Sequence, residues 1–219
     1  MFCAGYLDGG VDACFGDSGG PAIYVQSDES GEQIRARLLG MISWGKGCAE
    51  AGWPGVYART SGVYDWVLST AETMLRSNVF TTTSTTTTTT TTPLGPMPLS
   101  KLGLDSYDCE SNFDEDRSGL WRIVGGFGSD NIMETWPWMA NLNAMCGGAI
   151  IGSQYILTAA HCCVDGALDN ASIFVGSARL IDPNKQQKLS VDAFRVHSSW
   201  NPKNFQGDIC IIKTKGNEP

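Results

Sequence analysis

Basic charge is scarce in this chain. Its 15 Lys and Arg stand against 23 Asp and Glu, giving a net charge of -8 over 219 residues. Neutralising a phosphate backbone takes clustered cations, so the sequence argues against a nucleic-acid partner. No apolar run approaches the roughly 20 residues that a spanning helix needs, and the expectation is a soluble chain with no membrane partner. The opening Met1-Phe2-Cys3-Ala4-Gly5-Tyr6 has neither a basic stretch nor a sustained apolar core. No signal peptide is read there, and Met1 is expected to be an internal methionine. Histidine is rarer still, with two in the chain, so any imidazole base is His161 or His197. Cysteine is the opposite case. Eight of them, several in contexts that read as disulfide partners, imply an oxidising, extracellular setting.

Residues 81–92 are threonine interrupted by Ser84 and are followed by Pro93, Pro96 and Pro98. Such a segment has almost no apolar surface to offset the entropy of ordering it, so residues 77–108 read as a disordered linker. Its hydroxyls suit either O-glycosylation or an unmodified polar spacer. On both sides of it the pattern is that of short strands: residues 37–44 upstream, and 148–151 and 155–158 downstream. The exception is 61–76, where Val63, Trp66, Val67, Thr70, Ala71 and Met74 recur at helical spacing with Ser61 available as a cap. The expectation is an all-β chain with one helix closing its first part.

Two motifs carry chemistry. In Asp12-Ala13-Cys14-Phe15-Gly16-Asp17-Ser18-Gly19-Gly20-Pro21, glycines flank a serine. A serine hydroxyl needs a base to remove its proton, and its tetrahedral intermediate needs backbone N–H donors at close range, which glycine permits. Far downstream, Thr158-Ala159-Ala160-His161-Cys162 offers that base. Both segments closely resemble the chymotrypsin/trypsin family of serine peptidases, and Cys3-Ala4-Gly5 and Ser43-Trp44-Gly45 fall in family order around the first. The family's chain order is histidine, aspartate, serine; here the serine motif comes first. The resemblance implies a seam between tandem domains. Residues 1–76 would be the C-terminal part of one trypsin-like domain, with its terminal helix. Residues 109–122 would be a propeptide-like segment, and 123–219 the N-terminal antiparallel β-barrel of a second domain.

What the resemblance implies for single residues follows the motifs. Ser18 is the nucleophile, the amides of Gly16 and Ser18 form the oxyanion hole, and His161 is the general base. Asp208, in Gly207-Asp208-Ile209-Cys210-Ile211-Ile212, orients that base. Asp12 takes the place of the carboxylate at the base of the primary specificity pocket, with Gly45 and Gly55 as open walls. That favours cleavage after Lys or Arg, since a buried carboxylate gains most from a cationic partner; the bland alternative is a solvated loop acid. Ser43-Trp44-Gly45 corresponds to the edge that pairs with substrate backbone. Phe15 departs from the polar residue common at its position. His197 is expected to be a surface strand residue.

Arg122-Ile123-Val124-Gly125-Gly126 matches a zymogen activation site, where cleavage after Arg122 frees an ammonium at Ile123 to pair with Asp17. The resemblance pairs Cys14 with Cys48 and Cys146 with Cys162. Cys163 and Cys210 form either a bridge or two buried thiols. Cys3 and Cys109 are expected to find partners beyond the present ends. Asn170-Ala171-Ser172 is a glycosylation sequon. No metal or organic cofactor is implied. The expected partners are protein or peptide substrates and neighbouring protease domains of one precursor. The resulting expectation is a serine endopeptidase made as a zymogen. As written, the chain reads as two incomplete modules with little or no activity, against which stand a permuted single protease and a non-catalytic binding module.

Overall fold

The computed structural model describes residues 1–27, 33–76, 136–143, 145–169, 171–176 and 186–215. The threonine tract, residues 109–122, Ile123, Asn170 and the activation sequence lie outside them. Upstream, β1 (Phe2–Ala4), β2 (Pro21–Ser27), β3 (Gln33–Trp44) and β4 (Gly55–Arg59) form an open antiparallel sheet in the order β1-β4-β3-β2. Helix α1 (Tyr64–Arg76) follows. Downstream, β5 (Met139–Leu142), β6 (Cys146–Gly152), β7 (Tyr155–Thr158), β8 (Ser172–Val175), β9 (Gln187–Val196) and β10 (Cys210–Thr214) close as an antiparallel barrel, β10-β7-β6-β5-β8-β9. A single 3-10 turn, Ala160–Cys162, leaves the end of β7. The fold is therefore mostly β, with the expected helix.

Strand β10 shows how the sequence joins the two parts. It is buried along its whole length, and alternate residues of a strand point to opposite faces. Cys210 and Ile212 enter the barrel core with Leu142, Ile156 and Ile173. Ile209 and Ile211 face the other way and, with Leu157 and Ala149, share a core with Met41, Ala58 and Met74 of the upstream part. Lys213 follows on that outer face. Its Nζ donates to the Met74 carbonyl at 3.0 Å, where the helix C-terminus presents carbonyls without intrahelical partners. Tyr155 Oη donates to Ala71 O at 3.0 Å in the same last turns. The apolar stripe of α1 is thus the face that docks on the barrel.

Three expectations need correction. The helix starts at Tyr64 rather than at Ser61, which is exposed. The Thr60 amide and hydroxyl are tied to the carbonyls of Leu39 and Leu38, which holds the chain against the sheet until Val63. His197 is not a surface strand residue. It lies just past β9, partly buried, with its ring edge against Trp66 of α1 at 4.8 Å between centroids, and burial holds its pKa below the usual 6.5. Finally, Cys3 is disulfide-bonded within this chain, so its partner is not a residue upstream of Met1.

Candidate active site

The site lies on the seam between the two parts. The turn that carries Ser18 closes by Asp17 N–H donating to Cys14 O at 3.0 Å and Gly20 N–H to Asp17 O at 2.8 Å. Gly16 and Gly19 sit at φ +92° and +74°, a region that L side chains enter only at a cost. Gly19 is also where the parts touch, since a Cβ on it would meet the Thr158 hydroxyl, Gly147 O and Ala159 N at or below 3.0 Å. Likewise a Cβ on Gly147 would fall 2.9 Å from Gly20 Cα. Backbone therefore meets backbone here. Gly147 N–H donates to Ser18 O at 2.7 Å, and the Cys162 sulfur lies 3.6 Å from the same oxygen. This places Ser18 beside the turn that holds His161.

On the barrel side, His161 sits in the 3-10 turn with its ring about a quarter exposed, while Asp208 is fully buried. One Asp208 oxygen accepts the His161 amide at 2.9 Å. The other lies 2.8 Å from the imidazole Nδ1 and accepts the Ser43 hydroxyl at 2.5 Å. A buried carboxylate that ends so many donors holds the ring in one orientation and tautomer, with Nδ1 protonated and Nε2 left as the basic nitrogen. Cys163 and Cys210 are bridged, with Cα atoms 6.6 Å apart, which ties the histidine loop to the strand after Asp208. The bridge, not the pair of thiols, is what forms. Cys146 and Cys162 are also joined. Although their sulfurs cluster with His161, disulfide sulfur is not the thiolate that a metal ion binds.

The second feature is a buried carboxylate in the upstream part. Cys14 and Cys48 are bridged, bringing together the loops on which Asp12 and Ala49 lie. Asp12 is 9% exposed and accepts the amides of Ala13 at 2.8 Å and Ala49 at 3.2 Å. It is no solvated loop acid. Burial pushes its pKa above the usual 3.8, the two amide bonds oppose that rise, and the nearby Asp17 adds to it. Gly55 is required beside it, since a Cβ there would sit 2.8 Å from Asp12 Oδ1. Around Gly45 the space is open, with Gly55 as the facing wall. Burial, then the charges of Asp12 and Asp17, push the Tyr57 phenol up to about 12. Asp17 is partly buried and accepts the Cys14 amide at 2.9 Å.

Sequence reasoning missed two contacts. Ser43 was read only as part of a substrate-pairing edge, yet its side chain is buried and spent on Asp208. Phe205 escaped notice altogether. It holds φ +56°, strained for a bulky residue. Its ring packs edge-on against His161 at 5.7 Å and Trp200 at 5.6 Å. The signal available was its position three residues before Asp208.

Comparison with known proteins bears on the same residues. The family model described as Trypsin matches residues 1–67 and 123–218. Transmembrane protease serine 9 of Rattus norvegicus is 33% identical over 241 residues, covering 97% of this chain and 22% of that protein. Transmembrane protease serine 5 of Homo sapiens is 51% identical over 75 residues, 34% of this chain and 15% of its own. Trypsin-2 of Salmo salar is 53% identical over 73 residues, 33% of this chain and 27% of its own. The chain thus spans about a quarter or less of the length of these relatives. Among solved structures, a mutant of human heparin binding protein (CAP37) is 19% identical, with a TM-score of 0.34 over 38% of this chain and 40% of that one.

Proposed function

Because the chain belongs to the trypsin family of serine peptidases, we propose that it is a serine endopeptidase whose single active site is assembled across the seam. Ser18 comes from the upstream part, and His161 and Asp208 from the downstream part. The observation that carries this reading is the run of contacts from Ser43 through Asp208 to His161, with the Ser18 carbonyl held by Gly147 and against Cys162. Ser18 Oγ attacks the scissile carbonyl while His161 Nε2 takes its proton and passes it to the leaving amine. Water then hydrolyses the acyl-enzyme by the same base. The Gly16 and Ser18 amides stabilise the oxyanion, and Asp208 stabilises the imidazolium.

Asp12 selects a Lys or Arg side chain between Gly45 and Gly55, and Ser43, Trp44 and Gly45 hold the substrate backbone extended. Cleavage after Arg122 activates the chain by freeing the Ile123 ammonium to pair with the Asp17 carboxylate beside the nucleophile. The disulfides favour an oxidising compartment. Among the described residues no helix is long and apolar enough to cross a membrane.

A fluorophosphonate probe tests the reading, with peptide mass spectrometry at Ser18 before and after cleavage following Arg122. Stoichiometric label after cleavage, lost in His161→Ala, is expected. A folded, cleaved chain that takes no label would make it a non-catalytic binding module instead.

A further inference from the structure

The activating cut proposed above has an unusual geometry in this chain. In a domain running from histidine to serine, cleavage ahead of the first barrel leaves the nucleophile and base on one polypeptide. Here Ser18 lies before Arg122, and His161 and Asp208 lie after it. The cysteines decide whether anything covalent still joins them. Four cysteines follow Arg122 in the sequence, namely Cys146, Cys162, Cys163 and Cys210. They are bonded to one another, as Cys146–Cys162 and Cys163–Cys210. No disulfide can therefore cross the Arg122–Ile123 bond.

We propose that cleavage after Arg122 converts the chain into a two-chain particle held together by non-covalent contacts alone, so that the barrel becomes a docking site for residues 1–76 of a second copy. The proposal rests on Arg122 as the cleavage point, but not on catalysis. The barrel carries the features of a receptor. Its outer strip of Leu157, Ile209 and Ile211 is covered by Met41, Ala58 and Met74. Lys213 is 3% exposed, with Asp192 at 3.5 Å, and spends a donor on the last turn of α1. Tyr155 caps a second carbonyl of that helix, and His197 meets Trp66. Apart from the Lys213–Asp192 pair, which lies within the barrel, each of these contacts joins a residue before Arg76 to one after Trp136, and none depends on which molecule supplies the helix. Exchanging identical parts between copies loses no contact, which makes it a low-cost route to mixed assemblies. The intact chain suppresses exchange because its own upstream part is present at an effective concentration near mM. The cut removes that advantage.

The test uses two full-length variants, Ser18→Ala and isotopically labelled His161→Ala, each cleaved after Arg122 and then mixed. Native mass spectrometry should show one-to-one particles in which the light upstream piece pairs with the heavy downstream piece and the reverse. Fluorophosphonate should label Ser18 to about one quarter of the wild-type level, the statistical share of pairings that reunite both groups. Tyr155→Phe, and separately Lys213→Met, should raise the dissociation constant of the two pieces roughly tenfold. Particles that keep only their parental masses, or pieces that fall apart on cleavage, would overturn the proposal. Mixed masses without label would support the docking and sink the peptidase reading instead.

Discussion

Asp12, proposed above to select a cationic side chain, illustrates how burial sets the pH range over which a carboxylate can hold a cation. Its carboxylate is nearly removed from water, with two amides as partial compensation, and burial raises its pKa above 3.8. A bound cation needs the ionised form, so affinity for a cationic ligand should fall as pH falls through that raised value, earlier than for an ordinary carboxylate. Calorimetric titration with an aromatic amidine should show this loss, and Asp12→Asn should weaken binding roughly a hundredfold and flatten the pH dependence. The sign for folding is opposite. Ionised Asp12 is disfavoured by the folded state, so acidification through the same window relieves a cost.

Candidate residues of this kind could be nominated from the sequence because their motifs are local: Asp12, Ser18 and His161 stand in short runs whose neighbours mark them out. Ser43 was not legible as a partner of Asp208. The two are 165 positions apart, and a hydroxyl in a strand gives no sign of which distant carboxylate it meets.

At the level of elements, the turn carrying Ser18 is constrained twice, by its own backbone and by what it packs on. Gly10 and Gly19 both have positive φ, at +89° and +74°, yet a Cβ on Gly10 meets nothing within 4 Å while one on Gly19 meets the barrel. Gly10→Ala should therefore cost about 1 kcal/mol of backbone strain. Gly19→Ala adds a clash at the seam and should cost about 3 kcal/mol or more, with loss of Ser18 labelling. Urea unfolding of the two variants separates the terms, and equal costs would show that the seam is not closed at Gly19. The strands and the docking stripe of α1 could be read from periodicity. The first turn of the helix could not, because the bonds from Thr60 to the carbonyls of Leu38 and Leu39 depend on where the sheet lies.

For the whole molecule, the shared core implies shared stability. The upstream sheet is open while the downstream barrel is closed, and the faces that meet contain Met41, Met74, Leu157 and Ile211. The described parts should accordingly unfold in one transition, with tryptophan fluorescence and far-ultraviolet circular dichroism giving the same urea midpoint. Two separated midpoints would mean that the parts fold independently. Periodicity within each part indicated strands, but nothing local indicated that the parts close on one another, because that depends on complementary surfaces formed only after each has folded. The meeting of Gly20 and Gly147 adds a consequence for closure. Even a methyl group at Gly147 would push on the Gly20 backbone, which cannot rotate aside as a side chain can. The pair thus works as a gauge of fit: the two parts can close fully on each other only while Gly147 stays bare.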